Sequence, residues 1–189
     1  MVAQIVESER PWRYADLAGL PDDGNRYEIL QGELIVSPSP SGRHQIVLGR
    51  LHAALYEAVK TSKFGTVFTA PFDVRFSDRN VVEPDLFVIS VDQYSQYSDQ
   101  SFDGAPAFVI EIVSPSSVKT DRQRKATLYM EQGVKEYWIV EPDERRILVH
   151  VPGDQGPRIV IDGALESDVV PSFSVQLSDL FIQTLTTFD

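Results

Sequence analysis

Glu111 stands inside an otherwise apolar segment, Ala107–Val113 (AFVIEIV). An ionised carboxylate in that setting is costly unless it is paired or holds a metal ion. Residue type alone leaves both uses open: an ion pair with a neighbouring helix, or a ligand. A second acid, Asp85, follows Pro84 at the entrance of another apolar run, Leu86–Ile89. A lone Pro-Asp is more often a turn than a site. Glu83 adds a further carboxylate there, and Pro84 between them should leave only one of the two facing a common site. The third element is Lys125. It belongs to a basic run with Lys119, Arg122 and Arg124, and such runs are usually solvated helix faces. Yet Leu128 and Tyr129, one turn further on, should face a sheet and carry Lys125 inward with them.

Two more side chains are candidates. His44 lies at the N-terminal end of a helix's apolar face, where a packed histidine and a proton-transfer group are equally well placed. Glu33 follows the glycine of a hairpin, the usual place of a surface acid. The chain has no cysteine and only three histidines, His44, His52 and His150, without metal-ligand spacing. Zinc chemistry is therefore disfavoured. Carboxylate oxygens favour Mg²⁺, with Mn²⁺ as a substitute.

These residues need elements to hold them. Arg26–Leu30 and Glu33–Val36 flank Gln31-Gly32 and read as a hairpin. Ser41 suits the N-cap of a helix over Gly42–Thr61, whose apolar face is Val47, Leu51, Ala54, Leu55 and Ala58. A first helix is expected around Pro11–Ala18. Thr66–Phe76 alternates and is rich in β-branched and aromatic residues, which predicts one strand. Val91–Ser98 suits a short surface helix. Ala107–Val113 is apolar enough to be a central strand covered on both faces, and 114–117 should end it. A helix over Val118–Gln132, closed by Gly133, then leads to a strand at Glu136–Glu141. That unit predicts a right-handed parallel crossover. Arg146–Val151 returns as a further strand. One or two more are expected near Arg158–Ile161 and Ala164–Val170, before a short helix at Leu177–Phe181.

The 189 residues suit a single α/β domain over 1–189 with one sizeable core. A hydrophobic fraction of 42% and a charged fraction of 24% are ordinary for a globular chain. No apolar run reaches the ~20 residues of a membrane span, and residues 1–10 lack the apolar core of a signal peptide. The expectation is a cytoplasmic protein with no membrane partner. A net charge of −11 works against tight non-specific binding to DNA.

The order Pro84-Asp85, then Glu111 in an apolar strand, then a basic helix resembles the PD-(D/E)XK nucleases. Within that superfamily the chain is similar to the Uma-two restriction-endonuclease family. The matching segments are YEILQGEL (Tyr27–Leu34), the helix-start His44, EPDLFVIS (Glu83–Ser90) and VIEIVSPSS (Val109–Ser117). They continue through DRQRKATLYMEQGVKEYWIVEP (Asp121–Pro142) and PSFSVQLSDLF (Pro171–Phe181). The resemblance implies a restriction-endonuclease-like fold: a central mixed sheet flanked by helices, an N-terminal hairpin and additional C-terminal strands. It implies a Mg²⁺-dependent endonuclease acting on DNA, as a homodimer. The exposed strands and aromatics expected in the C-terminal half, such as Phe173, offer an interface for it. Asp85, Glu111 and the carbonyl of Ile112 would be ligands, with Lys125, His44 and Glu33 as further catalytic residues. The chain departs from the superfamily motif at Val113, where a lysine is expected, and Lys125 stands at the family's substitute position. That departure keeps two other readings open: a weak or inactive member serving as a binding or regulatory protein, and a hydrolase of small phosphate esters.

Overall fold

The computed structural model describes residues 4–6, 8–113 and 119–181. It begins with a short strand, β1 (Gln4–Val6), and one helical turn, α1 (Tyr14–Leu17). The hairpin follows as expected, β2 (Arg26–Leu30) and β3 (Glu33–Ser37). Gln31 and Gly32 both take positive φ, 55° and 82°, as a two-residue hairpin turn requires. Ser41 then caps α2 (Gly42–Ser62), its side chain accepting from the His44 N–H at 3.3 Å.

Thr66–Phe76 is not one strand but two, β4 (Gly65–Thr69) and β5 (Asp73–Ser77). Pro71 lies between them and has no N–H to give a ladder. The two pieces enter different sheets. Next come β6 (Asn80–Val82), β7 (Leu86–Ser90), a 3₁₀ turn over Val91–Gln96, β8 (Ser101–Asp103) and β9 (Phe108–Ile112). The expected break at 114–117 and helix start at Val118 lie outside the described residues. From Lys119 the helix α3 (Lys119–Gln132) runs to Gly133, whose φ of 94° ends it. Then follow β10 (Glu136–Glu141), β11 (Arg146–His150), β12 (Arg158–Val160), β13 (Ala164–Glu166), β14 (Ser174–Gln176) and α4 (Leu177–Leu180).

Among the described residues two six-stranded sheets organise the fold. One has the order β1-β3-β2-β6-β5-β8, the other β12-β11-β10-β9-β7-β4, and β13-β14 form a separate pair. The N-terminal hairpin is thus the middle of a second sheet rather than an appendage. β9 sits between β7 and β10 in the other sheet, every residue buried. It pairs parallel with β10 and antiparallel with β7, so α3 serves as the crossover.

Alternation along β9 sorts its side chains between two cores. Phe108, Ile110 and Ile112 face a core that includes Val47, Leu51 and Leu55 of α2 and Phe173, Val175 and Leu180 of the C-terminal segment. Val109 faces the other, with Tyr129 of α3 and with Leu30, Ile35 and Val82 of the first sheet. Glu111 shares the face of Val109. It therefore points between α3 and the first sheet. Phe173 was expected to offer an exposed interface; it is instead 1% exposed, stacked on Trp138 with centroids 5.2 Å apart. Glu136 fastens this end of the molecule. Its buried carboxylate accepts from Trp138 Nε1, Ser167 Oγ and the N–H groups of Asp168 and Val169, which satisfies the charge that burial would otherwise penalise. Among the described residues no helix is long and apolar enough to cross a membrane.

Candidate active site

Strand register brings the two acids together. Leu86 pairs with Ile110 in the antiparallel β7–β9 ladder, and one step beyond that pair Asp85 is level with Glu111. At this point β7 has ended, and the N–H of Ile112 turns to the Asp85 side chain, donating to Oδ2 at 2.7 Å. The N–H and C=O of one strand residue point the same way. The Ile112 carbonyl is therefore directed toward the Asp85 side as well.

Three elements supply the partners of Asp85. His44 at the start of α2 places Nε2 2.9 Å from Oδ2. Since an ionised carboxylate only accepts, Nε2 carries the proton in that contact. From β2, Arg26 donates to Oδ1 at 2.7 Å. Burial alone would raise the pKa of Asp85. The His44 contact, the Arg26 charge and the Ile112 N–H outweigh it and hold the carboxyl below its usual range.

Glu111 has different company. Lys125 Nζ and the Tyr129 hydroxyl both donate to its Oε1, each at 2.9 Å. The four-residue spacing of Lys125 and Tyr129 on α3 puts both on one face. Lys125 also reaches Glu28 Oε1 at 2.7 Å. Burial pushes Glu111 upward; the Lys125 charge opposes this, while Asp85 and Glu28 add to it. Lys125 moves up too, because the attraction of Glu111 and Glu28 exceeds the cost of its burial. It remains an ammonium group at neutral pH.

Of the candidates read from sequence, Asp85 bonds His44 and Glu111 bonds Lys125, and the two acids lie close enough for Asp85 to act electrostatically on Glu111. Glu33 stands apart: its carboxylate is half exposed and pairs with Arg124 at 2.8 Å. The hairpin contributes Arg26 and Glu28 instead. Both are on the face of β2 that carries Leu30, which packs in the same core as Val109 and Tyr129. Strand alternation through RYEIL would have pointed to them, because Tyr27 and Ile29 take the other face with α1.

Glu83 is also part of the neighbourhood. Its N–H donates to Glu28 Oε1 at 2.9 Å, and its own Oε2 is buried with no hydrogen-bond partner among the described residues. Burial, with Glu28 and Asp73 nearby, pushes its carboxyl up to about 7 from 4.5. The folded chain then keeps a proton that the unfolded chain releases across that window, so stability should fall as pH rises through it. Thermal melts in EDTA should show this decline between about pH 4.5 and about pH 7. Glu83→Gln should flatten it; an equal decline in the variant would assign the effect elsewhere.

Among the described residues no three His, Cys, Asp or Glu side chains converge as a ready-made cage. The donor set nevertheless fits one class of ion. Asp85, Glu111 and the Ile112 carbonyl present hard oxygens only. Glu28, Glu83, Asp85 and Glu111 outnumber the permanent cations Arg26 and Lys125. Mg²⁺ is commonly held by one or two carboxylates while keeping several waters.

The two packed sheets, the β9-α3-β10 crossover and acids at the adjacent ends of β7 and β9 define a restriction-endonuclease-like fold. The chain belongs to the Uma2 family, described as "Putative restriction endonuclease", whose model matches residues 13–182. Among solved structures it is similar to a "putative nuclease belonging to DUF820" from Anabaena variabilis ATCC 29413. The TM-score is 0.78 at 22% identity, over 90% of this chain and 98% of the other. No curated protein matches.

Proposed function

We propose that the chain is a Mg²⁺-dependent endonuclease that hydrolyses phosphodiester bonds in DNA. One contact carries the reading: Lys125 Nζ lies 2.9 Å from Glu111 Oε1, while Val113, just past the end of β9, stands in the place of the motif lysine. A helix lysine thereby reaches the acid that the motif lysine would accompany. The family's description and that of the Anabaena structure support the same reading.

Asp85, Glu111 and the Ile112 carbonyl would hold Mg²⁺ or Mn²⁺. Bound there, the ion supplies Lewis acidity toward a phosphoryl oxygen and a lowered pKa for its water. The remaining steps belong to the protein. In the ion-free protein Lys125 is an ammonium group, its pKa raised by Glu111 and Glu28 against the cost of burial. It donates to the attacking water or to the negative charge that develops on the phosphate. Tyr129 fixes the rotamer of Glu111 through Oε1 and leaves Oε2 for the ion. His44 performs the same service for Asp85.

Nucleases of this fold that cut duplexes commonly pair two active sites, so the active form is proposed to be a homodimer. The test is incubation of the purified protein with supercoiled plasmid in Mg²⁺, Mn²⁺ and EDTA, beside a calorimetric titration with each ion. Ion-dependent nicking or linearisation is expected. No heat of binding and no ion-dependent cleavage would remove the proposal.

A further inference from the structure

The hydrogen bonds of Asp85 divide unequally between its oxygens. Oδ2 accepts from His44 Nε2 and the Ile112 N–H, one held by the capped start of α2 and the other by the backbone of β9. Both donors are more deeply buried than Arg26. Oδ1 accepts from Arg26 alone among the described residues. The Asp85 side chain is only 2% exposed, whereas Arg26, on the opposing sheet, is 24% exposed. Of the two partners in the Oδ1 contact, Arg26 is therefore the one open to solvent. The guanidinium also lies in the fields of Glu28 and Glu111, so a fixed cation already occupies the region toward which the acids converge.

We infer that Arg26 is an internal stand-in for the divalent ion: it holds Asp85 Oδ1 in the ion-free protein, gives way when the ion binds, and then takes a phosphate oxygen of the substrate. The inference rests on the metal site proposed above and adds to it the residue that links ion binding to substrate binding. The exchange follows from charge. A dication on Asp85 and Glu111 cancels the two carboxylates that hold the guanidinium and repels it. An arginine released at the mouth of such a site has a planar fork of donors suited to a phosphate. Its long side chain can swing toward solvent without moving β2.

The test uses calorimetric Mn²⁺ titration of the full chain and of Arg26→Gln, Arg26→Lys and Asp85→Asn. Fluorescence anisotropy with a labelled DNA duplex in Ca²⁺ reports substrate binding. Melting curves establish that each variant folds. Removing a unit charge at this range should tighten Mn²⁺ binding by about tenfold or more. The same Arg26→Gln variant should bind duplex about tenfold more weakly. Arg26→Lys keeps the charge and should bind Mn²⁺ as the native chain does. In melts, Arg26→Gln should be less stable in EDTA and gain more from Mn²⁺ than the native chain. Unchanged or weaker Mn²⁺ binding by Arg26→Gln, with Asp85→Asn still abolishing it, overturns the stand-in and leaves the metal site intact. Tighter Mn²⁺ binding with unaltered duplex affinity overturns the phosphate contact. Absence of Mn²⁺ binding in the native chain overturns both the inference and the metal site.

Discussion

Asp85→Asn and Glu111→Gln are each expected to abolish the rise in melting temperature on adding Mg²⁺. Each should also slow ion-dependent DNA cleavage by about a thousandfold or more, since a catalytic ion contributes several kcal/mol to transition-state stabilisation. The two variants should part company in EDTA. Asp85 is held ionised by His44, Arg26 and the Ile112 N–H. Asparagine there leaves Arg26 beside a neutral group and offers only one acceptor oxygen to donors that used two. Breaking a buried pair on one side typically costs about 3–5 kcal/mol. Glu111 differs because burial already opposes its charge. A glutamine can keep its oxygen toward Lys125 and Tyr129, so the loss should be smaller. Urea denaturation in EDTA measures both. Equal destabilisation would contradict the unequal electrostatics of the two acids, and a retained Mg²⁺ response in both variants would remove the metal site.

That difference also shows what the sequence could convey. Glu111 was legible because an acid in AFVIEIV is anomalous on burial grounds alone. β9, the parallel partner β10 and helix α2 with its Ser41 cap were legible for similar reasons: long apolar patterns and a capping residue are local signals. Asp85 was not anomalous by itself. Its role depends on the register that sets Leu86 against Ile110, a property of two distant segments. The second sheet was hidden for another reason. β1, β6 and β8 each have three residues, too few for alternation to register, and β5 was concealed by its continuity in type with β4. Without that sheet, nothing in the chain indicated that the hairpin would be laid over Glu111. Glu33 was therefore favoured over Glu28 and Arg26, although the latter pair shares a face with buried Leu30. Phe173 was misread because an aromatic in a Ser- and Pro-rich tail resembles a surface residue; the β13-β14 pair folds it back onto Trp138.

Lys125→Met isolates the step on which cleavage depends. The variant should bind Mn²⁺ at least as tightly as the native chain, because a cation next to the ligands has gone. Its DNA cleavage should nevertheless fall by about a hundredfold to a thousandfold, the usual cost of losing one positioned donor to developing charge. The shape of the pH–rate profile discriminates further. In the proposed role Lys125 is a donor, so the residue contributes a fixed charge and not a titrating base. Its removal should lower the rate by a similar factor at every pH and leave the inflections in place. A lysine acting as base would instead take one inflection with it. Stability must be read separately, since Lys125 bonds both Glu28 and Glu111, and its loss strands two buried carboxylates. Saturating Mn²⁺ should recover part of that loss by neutralising Glu111. Native cleavage by a folded, Mn²⁺-loaded Lys125→Met variant would show that the contact between Lys125 and Glu111 is an ion pair of the fold alone, and the absence of lysine at Val113 would then stand uncompensated.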